Sequence, residues 1–144
     1  MLLVEEEGED AQSTIRELRR LHLAHGLIHV KDGEEALDFL SSKGKFAGTK
    51  KNDCLPTIIL LDIQMRKVSG PELLKKIKQD SRTNRTPIIL LTPSPEHPDL
   101  HDCYAVGATC YIVKPLNFER FAQAIHSLGL FWLLSDRTPR QASL

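Results

Sequence analysis

Five short apolar stretches alternate along the chain with longer segments of mixed polar and apolar residues. Each stretch has the length of a β-strand, and three of them are rich in Ile, Leu and Val with no polar alternation. Continuous apolar strands of this kind are typical of a parallel sheet that is covered on both faces. The predicted strands are residues 1–4, 27–30, 57–61, 87–91 and 110–113.

The segments between these strands repeat apolar residues three or four positions apart, which is the period of an amphipathic helix. The predicted helices are residues 9–23, 33–42, 70–79, 96–106 and a region that begins at residue 118. Asp32 and Ser69 each stand three residues before a Glu at the start of a helical segment, which is the spacing of a capping box. Strand and helix therefore alternate five times, and this predicts an α/β doubly wound fold with right-handed crossovers.

Composition and charge narrow the class of protein. The 144 residues fit one domain, and 19 basic residues balance 19 acidic ones, so the basic footprint of a nucleic-acid-binding protein is absent. No apolar run approaches the ~20 residues that span a bilayer, and the acidic N-terminal region does not have the pattern of a signal peptide. The cysteines match neither a zinc pattern nor a disulfide framework. We expect a cytoplasmic protein with one domain over residues 1–134 and a frayed tail over residues 135–144.

Polar residues follow four of the predicted strands at the point where each strand ends. Glu5 and Glu6 follow the first strand, Asp62 the third, Thr92 the fourth and Lys114 the fifth. The carboxyl ends of parallel strands meet at one edge of the sheet, where ligands bind in open α/β folds. These side chains are therefore predicted to converge on one site.

The acidic loop after the first strand decides which ligand this edge favours. A nucleotide or flavin phosphate needs a Gly-rich loop with free N–H groups there, and glutamates would repel it. Carboxylates instead bind a hard divalent cation such as Mg²⁺, which relieves their mutual repulsion and lets a phosphoryl group approach. Asp62 can then attack a phosphoryl donor and form an acyl phosphate, with Lys114 neutralising charge and Thr92 binding a phosphoryl oxygen.

Four stretches of the chain resemble the signature motifs of bacterial response-regulator receiver domains. They read LLVEE at residues 2–6, ILLDIQM at 59–65, LLT at 90–92 and YIVKP at 111–115. The resemblance extends over about residues 1–130. It implies a flavodoxin-like (βα)5 three-layer sandwich with the parallel sheet order 2-1-3-4-5.

The resemblance also implies roles on the metal side of the site. Asp62 corresponds to the phosphoacceptor, and Glu5 and Glu6 correspond to the acidic pair that binds Mg²⁺. Gln64 corresponds to the residue whose backbone carbonyl completes the metal site. The family usually has Asp at the second acidic position, so the longer Glu6 is expected to reshape the metal site or weaken its affinity.

On the phosphate side, the resemblance implies that Thr92 is the switch hydroxyl and Lys114 the phosphate-binding ammonium. Tyr111 corresponds to the aromatic residue whose ring moves inward on activation, and the Lys114–Pro115 peptide bond is expected to be cis. Pro93 departs from the family, which usually has a small residue there whose N–H contacts the phosphoryl group. Proline has no N–H, so one phosphate contact is expected to be missing.

Together these features predict a single-domain response regulator of a two-component phosphorelay. A sensor histidine kinase would phosphorylate Asp62, and the switched surface would bind a downstream protein or a phosphotransfer partner. Beyond self-phosphorylation and autodephosphorylation at Asp62, no enzyme activity is expected. An aspartyl-phosphate phosphatase would need a second catalytic Asp where Gln64 stands. The alternative is a degenerate receiver that acts as a phosphorylation-independent interaction module.

The end of the fifth helical segment is unusually apolar. The stretch 128–134 has apolar residues nearly all round, more than one helix face can bury. Because exposed apolar patches mark partner surfaces, we predict a homodimer interface there, built on Leu128, Leu130, Phe131 and Trp132. This ending and the loop at residues 43–48 are similar to single-domain receivers that are paired with bacterial phytochrome-type histidine kinases.

Overall fold

The computed structural model describes residues 1–6, 8–23, 26–47, 55–65 and 67–129. Strands and helices alternate along these residues as the hydrophobic pattern predicts. The strands are β1 (Leu2–Val4), β2 (Ile28–Val30), β3 (Ile59–Asp62), β4 (Ile88–Thr92) and β5 (Cys110–Val113). The helices are α1 (Glu9–Arg20), α2 (Gly33–Leu40), α3 (Gly70–Gln79), α4 (Asp99–Val106) and α5 (Phe118–Ser127), with a short 3-10 helix at Gly44–Phe46.

The strands form one sheet in the order β2-β1-β3-β4-β5, and every neighbouring pair is parallel. This order confirms the predicted flavodoxin-like doubly wound fold. The chain progresses from β1 to β2 on one side and from β1 to β3, β4 and β5 on the other. The order therefore reverses at β1 and β3, and a ligand crevice is expected beyond the carboxyl ends of these two strands.

The sheet is buried on both faces, which explains the continuous apolar strands. Leu2 and Val4 belong to a cluster beneath α2, α3 and α4, while Leu3 belongs to a second cluster beneath α1 and α5. Alternate strand residues point to opposite faces, so each strand needs apolar side chains at successive positions. Leu60 and Leu61 divide between the two clusters in the same way.

The helix ends follow the local chemistry of the sequence. Asp32 accepts a hydrogen bond from the Glu35 N–H at 2.8 Å, and Ser69 accepts one from the Glu72 N–H at 3.2 Å, so both predicted N-caps are confirmed. Helix α4 begins at Asp99, three residues later than predicted from residue 96. Pro98 explains the delay, because a residue that precedes proline is disfavoured in helical conformation.

Two helices end earlier than the sequence pattern predicts. Helix α1 ends at Arg20 rather than at residue 23, and α2 ends at Leu40 because Ser42 has a positive φ of 54°. The predicted tail over residues 135–144 lies outside the described residues. Among the helices that the structure describes, none is long and apolar enough to cross a membrane.

The first turn of α2 packs closely against the loop that follows β3. A Cβ atom added at Gly33 would lie 2.7 Å from the Cβ of Val68, which is closer than side-chain carbons approach one another. Next to this contact, Lys67 pairs with Asp32 at 3.6 Å. Helix α2 therefore supports the loop that leads away from the end of β3.

We expect Gly33→Ala to destabilise the protein by about 1–3 kcal/mol, since the new methyl group overpacks against Val68 and this outweighs the better helix propensity of alanine. The free energy of unfolding from urea denaturation measures the effect. Glu34→Ala, at the exposed next position, is the control and should change stability by no more than about 0.5 kcal/mol. Equal effects of the two substitutions would contradict the packing argument.

Candidate functional site

Three of the predicted site residues meet beyond the carboxyl ends of the strands. Glu5 follows β1, Asp62 is the last residue of β3, and Lys114 follows β5. They line one cavity of about 260 Å³ together with two further predicted residues, Glu6 and Gln64, and with Gly8, Glu9 and Asp10. The cavity lies at the reversal of strand order, where the fold predicts a ligand site.

The ammonium group of Lys114 lies at the centre of the site. Its Nζ is 2.8 Å from Asp62 Oδ2, 2.9 Å from Glu5 Oε2 and 3.2 Å from Asp10 Oδ2. The side chains of Glu5 and Asp62 are only 1% and 7% exposed, whereas that of Asp10 is 73% exposed. The lysine therefore neutralises two buried carboxylates, and its pair with the solvated Asp10 contributes little.

Burial and charge act in opposite directions on these groups. Burial alone would lower the pKa of Lys114, but its bonds to the carboxylates of Asp62 and Glu5 outweigh it and raise that pKa above its ordinary value. For Glu5, burial is the larger effect and raises the pKa of the carboxyl group, although Lys114 opposes it. The lysine consequently stays charged, while Glu5 takes up a proton more readily than an exposed glutamate.

Both oxygens of the Asp62 carboxylate have a hydrogen-bond donor. Oδ2 accepts from Lys114, and Oδ1 accepts from the backbone N–H of Gln64 at 2.9 Å. These two bonds fix the rotation of the carboxylate about its Cβ–Cγ bond. Asp62 is thus a buried, oriented carboxylate that faces a polar cavity.

The residues around the cavity offer the kind of ligands that bind a divalent cation. Glu5, Glu6, Asp62 and Gln64 all line the cavity and offer oxygen atoms, the ligands that a hard cation prefers. Both oxygens of the Glu5 carboxylate are buried, and among the described residues the Lys114 ammonium, 2.9 Å from Oε2, and the Thr14 side chain act on it without a well-aligned hydrogen bond. The chemistry of the donors therefore fits a divalent cation.

The positions of these oxygen atoms fit a metal ion less well than their chemical type does. Within the described residues, no three carboxylate, imidazole or thiol groups are gathered closely enough to hold one metal ion. The Lys114 ammonium already pairs with one oxygen of Glu5 and one oxygen of Asp62, two of the carboxylates that a cation would use. A divalent cation and Lys114 would thus compete for these carboxylates.

Thr92 lies at the end of β4, next to the site, but its hydroxyl group is bound to its own loop. The hydroxyl donates to the Ser94 carbonyl at 2.7 Å and accepts from the Ser94 N–H at 3.3 Å. The Thr92 carbonyl accepts from the Lys114 N–H at 2.8 Å, which ties the ends of β4 and β5 together. Thr92 does not line the cavity around Asp62.

Tyr111 lies away from the Asp62 cavity, on strand β5 at the edge of the sheet. Its side chain is 39% exposed and packs edge-to-face against the exposed Tyr104 of α4, with ring centroids 6.3 Å apart. Tyr111 also lines a groove of about 580 Å³ between β5 and α5. The Lys114–Pro115 peptide bond between the site and α5 is cis, as the resemblance implies.

Sequence reasoning missed Asp10 as a member of the site. In the sequence, an acidic residue at the start of a predicted helix indicates only a favourable charge near the helix N-terminus. In the structure Asp10 is the third carboxylate near Lys114 and it lines the cavity. The acidic run that begins at Glu5 was a signal for it, but only the turn at Gly8, with a φ of 147°, brings the first turn of α1 over the site.

The predicted dimer residues are only partly described. Leu128 follows α5 and packs half-buried against the core cluster that contains Phe121. Leu130, Phe131 and Trp132 lie outside the described residues. The interface at this end of the chain therefore stays a prediction.

Comparison with known proteins places the chain among signalling proteins. A family model described as the response regulator receiver domain matches residues 1–126. FilR2 of Methanothrix harundinacea, a probable methanogenesis regulatory protein, is 32% identical over 142 residues, which cover 99% of this chain and 88% of that protein. The response regulator Rcp1 of Synechocystis sp. is 32% identical over 139 residues, covering 96% and 92% of the two chains.

Solved structures that are similar to this chain include further response regulators. The bacteriophytochrome response regulator RtBRR superposes with a TM-score of 0.81 at 37% identity, over 91% of this chain and 78% of that chain. The Mn²⁺-bound form of Rcp1 superposes with a TM-score of 0.69 at 29% identity, over 96% and 97% of the two chains.

The raised pKa of Glu5 has a consequence for stability. The folded state binds a proton at Glu5 more tightly than the unfolded state, so the ionised form weakens the fold. The destabilisation caused by ionised Glu5 is fully present above the raised pKa of the folded state. It is absent below the ordinary pKa of an exposed glutamate. We expect Glu5→Gln to have a higher melting temperature than the wild type at pH 7–8, and the difference should shrink as the pH falls. Thermal unfolding at several pH values measures it.

Glu9→Gln is the control for this experiment, because Glu9 borders the same cavity with an exposed side chain. Its melting temperature should stay close to that of the wild type at every pH. A lower melting temperature for Glu5→Gln at pH 8 would show that the pair with Lys114 outweighs the cost of burying Glu5.

Proposed function

The chain belongs to the response regulator receiver domain family, and we propose that it accepts a phosphoryl group on Asp62 from a sensor histidine kinase. One observation carries this proposal. The Asp62 carboxylate is buried, oriented by the Gln64 N–H, and paired with a lysine ammonium in a cavity lined by oxygen donors. A buried carboxylate that faces a positive charge at the edge of a sheet is suited to act as a nucleophile toward an anionic donor.

In the proposed reaction an oxygen of Asp62 attacks the phosphorus atom of the kinase phosphohistidine. The new O–P bond gives an acyl phosphate, and the P–N bond breaks with its electron pair returning to the kinase imidazole. Lys114, already 2.8 Å from Asp62, puts positive charge beside the transferring oxygens. The Gln64 N–H limits the rotation of the carboxylate during the approach of the donor.

The proposal includes a divalent cation, Mg²⁺, held by Glu5, Glu6, Asp62 and the backbone carbonyl of Gln64. When bound, it supplies positive charge that draws the phosphoryl oxygens toward the carboxylates. The relative Rcp1, solved in a Mn²⁺-bound form, supports this part of the proposal. Lys114 would then give up part of its contact with Glu5 or Asp62 and become available to the phosphoryl group.

The proposed output is a change of binding surface rather than an enzymatic product. Phosphorylation would bias a two-state equilibrium of α4, β5 and α5, which carry the exposed pair Tyr104 and Tyr111. A downstream protein or a phosphotransfer partner would recognise the altered surface in the cytoplasm. The homodimer predicted from the apolar stretch at residues 128–134 belongs to the same proposal.

A second function, a phosphorylation-independent interaction module, is favoured by the loop after β4. The Thr92 hydroxyl is bound to the Ser94 carbonyl, and Pro93 has no N–H to offer a phosphoryl oxygen. Two of the contacts expected to stabilise the phosphorylated state are thus engaged elsewhere or missing. The nucleophile and the acidic residues are all present, which favours the first proposal.

Incubation with Mg²⁺ and acetyl phosphate should give an adduct at Asp62, and Asp62→Asn should abolish it because an amide is a poor nucleophile. Intact-mass spectrometry with peptide mapping detects the adduct. Asp102→Asn, at an exposed position of α4, is the matched control and should react like the wild type. Failure of the wild type at saturating donor would favour the interaction module, and an adduct on Asp62→Asn would place the acceptor elsewhere.

Pro93→Ala should strengthen binding of beryllofluoride, a phosphoryl analogue, about 10- to 100-fold. The substitution restores a backbone N–H, and a hydrogen bond to a charged group contributes roughly 1.5–3 kcal/mol. Titration followed by ¹⁹F NMR measures the affinity. Pro95→Ala changes another exposed proline of the same loop and should leave the affinity unchanged. Equal gains from both variants would attribute the effect to loop flexibility instead of the restored donor.

A further inference from the structure

His29 forms a hydrogen bond with the acidic loop of the site from a neighbouring strand. Its Nε2 lies 2.7 Å from the backbone carbonyl oxygen of Glu5, although the two residues are 24 positions apart. A carbonyl can only accept, so the imidazole carries its proton on Nε2 and donates it. His29 lies on β2, an edge strand, with its side chain half-buried.

Residues of strand β2 bind both the backbone N–H and the backbone carbonyl of Glu5. The Glu5 N–H donates to the Val30 carbonyl at 3.1 Å, and the Glu5 carbonyl accepts from the His29 ring. The register between β1 and β2 ends at the pair Val4 and Val30, so these two bonds extend the hold of β2 one residue past the strand. The ring replaces the ladder bond that the backbone no longer supplies.

The carbonyl of Glu5 belongs to the peptide unit that joins Glu5 to Glu6. A hydrogen bond to this carbonyl sets the plane of that peptide, and the plane determines the direction in which the Glu6 side chain leaves the backbone. The loop reaches Gly8, whose φ of 147° is a conformation that side chains rarely allow. The His29 bond therefore acts between the end of β1 and the turn at Gly8, in the segment that carries the two glutamates.

We propose that His29 is a positioning residue that orients the Glu5–Glu6 peptide so that both carboxylates serve the Asp62 site. The inference rests on the proposed function, since it assigns His29 to the divalent-cation half of that site. Neutral and protonated imidazole both donate from Nε2, so the role does not depend on the charge of the ring. In a purely structural role, by contrast, the ring would only satisfy a half-buried carbonyl and support the fold.

The test compares His29→Phe, which keeps a ring and removes the donor, with His29→Gln, which restores an N–H donor. Mg²⁺ is titrated into each unphosphorylated protein and followed through the amide resonances of the loop. Removal of a residue that orients a metal ligand typically lowers metal affinity about 10–100-fold, so His29→Phe should weaken Mg²⁺ binding by that factor. His29→Gln should recover part of the loss, and the ¹³C′ resonance of Glu5 should shift in the Phe variant without Mg²⁺.

His101→Phe is the matched control, because His101 is an exposed histidine on α4. It should bind Mg²⁺ with wild-type affinity. Wild-type affinity in His29→Phe would overturn the inference and leave the proposed function intact. An equal loss of Mg²⁺ affinity in His29→Phe and His29→Gln, with equal falls in melting temperature, would also overturn the inference and would favour the purely structural role. If the wild type bound no Mg²⁺, both the inference and the cation part of the proposed function would fail.

Discussion

The ion pairs of Lys114 with two buried carboxylates are the interaction on which the site depends. Without this ammonium, Glu5 and Asp62 would be two buried carboxylates in one cavity, with no other side-chain cation among the described residues that line it. Buried carboxylates in that position would take up protons, and a protonated Asp62 would be a weak nucleophile. Lys114 resolves this conflict because it brings a positive charge from β5 to the carboxyl ends of β1 and β3.

The loops around the site are fixed by contacts from elements that lie behind them. The loop after β3 is supported by α2 through Gly33 and Lys67, and the loop after β1 is held by β2 through His29. The loop after β4 is closed on itself by Thr92 and Ser94. The loops that carry the functional side chains are thus held in part by residues that do not line the cavity, which helps to keep the site in a fixed geometry.

The two sides of the site differ in how far they follow the family. The acidic side has Asp62, two glutamates and a lysine, with Glu6 where the family usually has Asp, and Asp10 adds a carboxylate at its rim. The phosphate side has Pro93 without an N–H and a threonine whose hydroxyl already has a partner. In the proposed function, transfer of a phosphoryl group to Asp62 and the response to it would consequently depend on different strands and loops.

The sequence by itself determined the fold class, the order of elements and most of the site. Continuous apolar strands predicted a sheet covered on both faces, and the motifs at the strand ends predicted the receiver family, which the match over residues 1–126 confirms. These features could be predicted from the sequence because they depend on local periodicity and on residues at strand ends. Tertiary structure alone decided the start of α4, the membership of Asp10, the engagement of Thr92 by Ser94 and the bond from His29 to Glu5. Such features depend on the direction of a turn, the rotation of one side chain or the proximity of distant segments, and no local pattern of residue types encodes them.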